Sequence, residues 1–272
     1  MLKTKSFLLA AALVLAVAFT FSCSSPDEGG DGNPSNYEGG GNPGEPVVYE
    51  GDIYQTVVIG TQTWLAKNLN FYVEGSKCYG EEGDVMNLYE DPAFKTLSDV
   101  EIQANCAKYG RLYGWVTAMA LPSYCSSKEC SYMGEGGEPL IKAKHRGICP
   151  SGWHIPNNAE WNTLVQFVGD SAATKLKAKS GWNDYNGVSG NGTDDYGFAA
   201  LPSGNSPSFA NYFVNAGSRG YWWSAREFEV GVYNEYFHAY RWSMDYGGYD
   251  SENVGMSHDA KSNMYSVRCV KD

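Results

Sequence analysis

Positive charge is scarce in this chain. Its 20 Lys and Arg stand against 31 Asp and Glu, leaving a net charge of −11 and a pI near 4.8. A surface that tracks a phosphate backbone needs the opposite balance, so nucleic acid is not an expected partner. Histidine is scarcer still. The four residues His145, His154, His238 and His258 never fall in the His-Glu-x-x-His spacing of a helical zinc site. His154 therefore reads as a hydrogen-bonded structural residue. No Gly-x-Ser-x-Gly elbow is present. Gly169-Asp170-Ser171 falls between two expected helices, where Ser171 reads as a cap rather than a nucleophile. No repeat period appears.

Glycine (32 residues), tyrosine (20) and cysteine (7) supply what is left. Lys3 and Lys5 precede Phe7 to Phe21, a run that is apolar except for Thr20. As a helix it would reach about 22 Å, short of a bilayer core of about 30 Å, and residues 1–22 read as a signal peptide. The end, Thr20-Phe21-Ser22-Cys23, resembles a lipobox, which implies lipidation of Cys23. Residues 23–46 then turn to Gly, Asn, Pro, Ser and acids without a lysine or arginine. Such a stretch buries too little apolar surface to offset its ordering entropy. It reads as a flexible acidic linker holding the domain on the order of 25 Å from its anchor. Asp27, Glu28 and Asp31 close behind Cys23 resemble export signals of surface lipoproteins. The expected address is the cell envelope, at the outer membrane and facing outward, with the membrane a partner through the lipid.

Residues 47–272 remain for one domain, within the usual size range. Tyr54 to Ile59 and Gln62 to Ala66 flank Gly60-Thr61, a hairpin pattern. Ser98-x-x-Glu101 is a capping box for a helix ending at Gly110. Asn157 caps a clearer helix: Trp161, Leu164, Val165 and Val168 repeat at helical spacing and Gly169 stops it. Ser171 is expected to cap a further helix to Lys179. Phe198 to Leu201, Tyr221 to Ala225, Val232 to Met244 and Tyr265 to Val270 read as strands. The expected fold class is α+β, one disulfide-bonded domain with short helices and long loops around antiparallel strands.

Six cysteines follow Cys23, an even number that implies a disulfide framework, although six permit 15 pairings. Cys149 with Cys269 would contribute about 4.9 kcal/mol in the chain-entropy account, and Cys78 with Cys106 about 3.6 kcal/mol. Cys125 with Cys130 would then pin the Ser126 to Glu129 loop. A reactive cysteine pair is the functional alternative.

Five ordered blocks carry a family resemblance. They are Tyr54 to Trp64 with Lys67-Asn68-Leu69-Asn70, Tyr109 to Trp115, Cys149 to Pro156 with Glu160-Trp161, Gly192 to Pro202, and Ser266 to Asp272. Together they resemble the Fibrobacter succinogenes major paralogous domain, a family of exported bacterial proteins largely without assigned activity. The central block and last strand are also remotely similar to the C-type lectin-like fold. That likeness includes the formylglycine-generating enzymes, whose copper chemistry requires cysteines.

For function, oxygen-rich side chains between Asn183 and Asp195 suit a hard cation. Asp184, Asn186, Asp194 and Asp195 are the candidate ligands for calcium, the one cofactor considered; the alternative is a solvated loop held by Asx turns. In the late strands Tyr236, His238, Tyr240, Trp242 and Met244 alternate on one side and Phe237, Ala239 and Arg241 on the other. The lectin-like resemblance implies that late strands and a long loop share one side of the domain. Tyr240 and Trp242 with Asn183 and Asp184 are therefore the candidate ligand-binding residues; the competing reading places most of these rings, Trp242 among them, in the core. The leading expectation is a non-catalytic cell-surface binding module for a glycan or surface protein. A structural or assembly component of the cell surface comes second, and an enzyme related to formylglycine-generating enzymes third.

Overall fold

The computed structural model describes residues 41–272 apart from 88–90, 131–137, 209–210, 229–236 and 249–250. The signal peptide, Cys23 and most of the linker lie outside the described residues, as does Tyr236. No helix among the described residues is long and apolar enough to cross a membrane.

A five-stranded sheet opens the domain: β1 (Asn42–Tyr49), β2 (Asp52–Ile59), β3 (Gln62–Leu65), β16 (Val270–Lys271) and β7 (Trp153–His154), in that order. The domain begins earlier than expected. Asn42, Pro43 and Gly44, assigned above to the linker, pair with Val58, Val57 and Thr56, and the Thr56 hydroxyl donates to Glu45 O at 2.9 Å. Backbone pairing against a β-branched strand overrides the loop-like composition, and Pro43 is tolerated because β1 is an edge.

A second sheet runs β10 (Ser203–Asn205), β11 (Tyr212–Ala216), β4 (Asp84–Asn87) and β5 (Asp91–Lys95). β11 lies parallel to β4, so the strands are mixed rather than uniformly antiparallel. β12 (Arg219–Glu227), β13 (His238–Asp245) and β14 (Gly255–Ala260) form a third, antiparallel sheet. Two short pairs complete the strands: β6 (Tyr113–Gly114) with β15 (Met264–Tyr265), and β8 (Asp184–Tyr185) with β9 (Val188–Ser189).

Helices are few. α1 (Asp99–Tyr109) and α3 (Asn158–Val168) both carry complete capping boxes, from Ser98 with Glu101 and from Asn157 with Glu160. Between them lies the single turn of α2 (Trp115–Ala118). α4 (Ala172–Leu176) is shorter than expected. Ser171 sits in the left-handed region and caps nothing; its hydroxyl donates to the Glu252 carboxylate at 2.9 Å instead. Two strand expectations also change. Phe198 to Leu201 is irregular, with Ala200 bridging Lys177, and Tyr265 to Val270 splits between β15 and β16.

The third sheet has a core on each face. Tyr221, Trp223, Ala225 and Ala239 pack with Tyr113, Trp115, Tyr265 and the Cys149–Cys269 region. Trp222, Trp242 and Met244 pack on the other side with Trp64, Trp161, Leu164 and Phe198. Alternation along β12 and β13 thus feeds two apolar layers. The disulfides join Cys78 to Cys106, Cys125 to Cys130 and Cys149 to Cys269.

Arg268 is buried with no ion-pair partner in contact among the described residues. Its guanidinium donates to Leu65 O (3.0 Å), Phe198 O (2.5 Å) and Asn68 Oδ1 (2.8 and 3.1 Å). Burial pulls its pKa down to about 9, with Asp194 opposing the shift. Acceptors for four of its five N–H donors are what make such a residue tolerable in a core.

Candidate functional site

The face of β13 that carries His238, Tyr240, Trp242 and Met244 is covered along only part of its length. α3 lies over one part. Trp161 stacks on Trp242 with ring centroids 5.7 Å apart and planes 16° apart, and Trp242 Nε1 donates to Asn158 Oδ1 at 3.2 Å. Trp242 is 3% exposed. It belongs to the core, as the competing reading has it, and not to a ligand site. Tyr240 lies two residues back, about 7 Å along the strand, beyond the first turn of α3. It stays half-buried.

A cavity of about 680 Å³ opens there. Its walls are Asn157, Asn158 and Ala159 of the helix start, Ala225, Arg226 and Glu227 of β12, Tyr240, and residues 141–143. A bulge in β12 makes the room. Trp223 pairs with Arg241 and Glu227 with Ala239, so Ser224, Ala225 and Arg226 together oppose Tyr240 alone. Bulges of this kind bend a strand and re-aim its side chains. Ala225 N donates to Pro156 O at 2.9 Å, tying the bulge to the chain entering α3.

Both walls are braced from behind. Asn157 Oδ1 accepts from the backbone N–H of Ala159 and Glu160, and Glu160 Oε2 accepts from Asn157 N at 2.9 Å. The second Glu160 oxygen meets His154 Nε2 at 2.7 Å, while His154 Nδ1 meets Asp272 Oδ1 at 2.7 Å. Burial alone would lower the His154 pKa, but the Glu160 and Asp272 carboxylates outweigh it and the net shift is upward.

On the β12 side, the buried Glu227 pairs with the buried Lys261, and its other oxygen accepts from Cys130 N at 2.9 Å. Lys261 Nζ also donates to Cys125 O (2.8 Å) and Lys128 O (3.3 Å). The Cys125–Cys130 disulfide loop thereby clamps the pair. Burial lowers the Lys261 pKa while Glu227 raises it, with a net downward shift. At the open edge, Phe228 meets Tyr240 edge-on at 5.4 Å and stacks on His258 at 3.6 Å.

The Asn183 to Asp195 loop lies elsewhere. Asn183 N donates to Gly217 O, and Tyr185 packs edge-on against Tyr246 at 5.4 Å. Tyr246 is six residues beyond Tyr240, about 20 Å along a strand. Asn183 and Asp184 therefore do not share a site with Tyr240, which corrects that grouping.

The candidate calcium ligands do not converge either. Asp184, Asn186 and Asp195 are exposed. Asp194, at φ 47°, accepts from Ala199 N at 2.8 Å, a local turn contact; burial raises its carboxyl pKa. Among the described residues no three His, Cys, Asp or Glu side chains gather as a metal would require.

Of the expected ligand residues, only Tyr240 lines this cavity. Arg226, Glu227 and Lys142 were missed, and Asn157 was seen only as a cap. Their shared signal is nonlocal, since a bulge and a helix end must meet before they face one another.

Fold and site together define a disulfide-bonded α+β domain with a braced surface cavity. The Fibrobacter succinogenes major domain matches residues 57–271, and the chain belongs to that family. No curated protein and no solved structure matches it significantly.

Proposed function

We propose that this protein is a non-catalytic recognition module, carried at the cell surface on a lipidated Cys23, whose Tyr240 cavity takes a glycan. The observation that carries the reading is Tyr240 itself, a half-buried ring beside Asn157, Asn158 and Arg226 in one cavity. Sugar rings stack on aromatic faces while amide and charged groups orient their hydroxyls. Pre-organised walls reduce the ordering cost of binding. The enzyme reading needs a reactive cysteine pair, whereas all six domain cysteines are joined in disulfides. The remote C-type lectin likeness remains part of this proposal, supported by the closing Arg268-Cys269 segment and its bond to Cys149.

The test is a glycan array probed with the full chain and with Tyr240→Ala. Retention of a glycan class by the parent, lost at least about tenfold by the variant, supports the reading. A second cavity of about 570 Å³, lined by Tyr49, Phe71 and Tyr72, provides the contrast. Binding lost through Tyr72→Ala but not Tyr240→Ala, or no glycan retained at all, overturns it. The anchor is tested separately: Cys23→Ala should release the protein from membranes, and a variant still membrane-bound would remove the lipid assignment.

A further inference from the structure

Arg111 shows how this chain holds a cation beside Tyr72. Its guanidinium meets Glu81 Oε2 at 2.9 Å and stands over the Tyr72 ring, 4.9 Å from the centroid. One carboxylate and one ring share the charge, and Arg111 and Glu81 both line a cavity of about 590 Å³. Asn70 lines that cavity and also the cavity of about 570 Å³ whose walls include Tyr49, Glu50, Asp52, Phe71 and Tyr72. The second cavity repeats the carboxylates and the rings, but no Lys, Arg or His is among its lining residues.

We propose that this second cavity is a binding site for a primary ammonium group, carried by a free alkylamine or by a lysine side chain. Asp52 is half-buried and Glu50 exposed. Tyr49 and Phe71 make one aromatic wall, with ring centroids 5.1 Å apart and planes 46° apart. Tyr72, 66% exposed, supplies a third ring. Aromatic faces attract cations through the ring quadrupole, and carboxylates beside them add a Coulomb attraction that a neutral molecule does not receive. The chain's own nearby cations are engaged outside the cavity. Arg111 is on Glu81, and Lys67 Nζ stands over the Tyr54 ring at 4.4 Å. Arg146, close enough to Tyr49 to oppose the upward pull of burial on its hydroxyl, donates from Nε to Cys149 O at 3.0 Å.

Asn70 gives the site its preference for N–H donors. Its backbone N–H donates to the Tyr54 hydroxyl at 3.0 Å and its Nδ2 to Asp52 Oδ2 at 3.3 Å. Its buried Oδ1 has no hydrogen-bond partner among the described residues. A buried acceptor left unpaired is costly. An ammonium N–H reaching Asn70 from the cavity removes that cost, and a quaternary ammonium has no N–H with which to do so. The site does not rest on the glycan reading: its ligand is charged, and its walls share no residue with the Tyr240 cavity.

The experiment is a nuclear magnetic resonance titration of the full chain with n-butylammonium, Nα-acetyl-lysine amide, tetramethylammonium and n-butanol. Both primary ammonium probes should shift the Asn70 side-chain amide and the Tyr49, Phe71 and Tyr72 ring signals saturably, and leave Tyr240 unmoved. The tighter of the two identifies the source of the group. Butanol, which has the same chain and no charge, should bind at least about tenfold more weakly. Tetramethylammonium should bind more weakly than butylammonium. Asp52→Asn should weaken butylammonium binding about tenfold and Tyr72→Ala about two- to fivefold, while Tyr240→Ala should bind as the parent does. The shifts on the unaltered chain keep the test independent of how the variants fold. No saturable shift at these residues, butanol binding as tightly as butylammonium, or tetramethylammonium binding at least as tightly overturns the site.

Discussion

Tyr240 and Trp242 sit two residues apart on the same face of the same strand, yet one borders a cavity and the other is core. α3 decides the difference. Over Trp242 the helix supplies Trp161 at stacking distance. Opposite Tyr240 the helix has run out and β12 bulges away. An alternating aromatic strand reports which residues share a face, but the length of the element covering that face determines which remain available.

The largest way to break the comparison is Trp242→Ala. It should cost about 3–5 kcal/mol of stability, read as a fall in the denaturant midpoint. A near-normal midpoint would mean α3 does not depend on this ring. Next comes the end of the cover. Asn157→Ala removes a cap that satisfies two backbone donors and should cost about 0.5–2 kcal/mol. It should also loosen the Tyr240 cavity, seen as faster amide exchange at Ala159 and Glu160.

The brace behind that cap gives a pH signature. The His154 pKa is raised above its ordinary 6.5, so its charged form is favoured by folding. That contribution is complete below about 6.5 and is lost as pH rises through the folded value. The His145 pKa is lowered, chiefly by burial; its contribution is present above 6.5 and lost as pH falls through its folded value. The melting temperature should therefore decline on both sides of about 6.5, and His154→Gln should flatten the alkaline side only. An unchanged alkaline slope would detach His154 from the carboxylates.

Smallest in stability is Tyr240→Ala, expected to shift unfolding by no more than about 0.5 kcal/mol. A drop as large as that of Trp242→Ala would place Tyr240 in the core and close the cavity as a site.

Much of this arrangement was legible locally. The helices at 99–109 and 158–168 were readable because each start carries both halves of a capping box within four residues. The β2–β3 hairpin was marked by Gly60 between two β-branched segments. What escaped was nonlocal. Whether Ala200 would find a strand partner, where Ser171 would point, and that Asn42 to Gly44 would pair with Val58 to Thr56 all depend on distant segments. The expected calcium ligands are not gathered among the described residues, because loop composition says which atoms are present, not where they point. Asp194 satisfies its own turn instead.

The position of β16 has a consequence for the order of assembly. Val270 pairs with both Trp64 and His154, filling the gap between β3 and β7, and the segment just before it inserts Arg268 and the sulfur of Cys269 into the interior. A polypeptide appearing N-terminus first, at a ribosome or through a membrane pore, has nothing for that gap until its residues 268–271 arrive. Until then β3 and β7 have only unpaired edges toward each other, and Cys149 has no native partner to oxidise with. The domain thus stays open until residues 268–271 come through, and latches when they do.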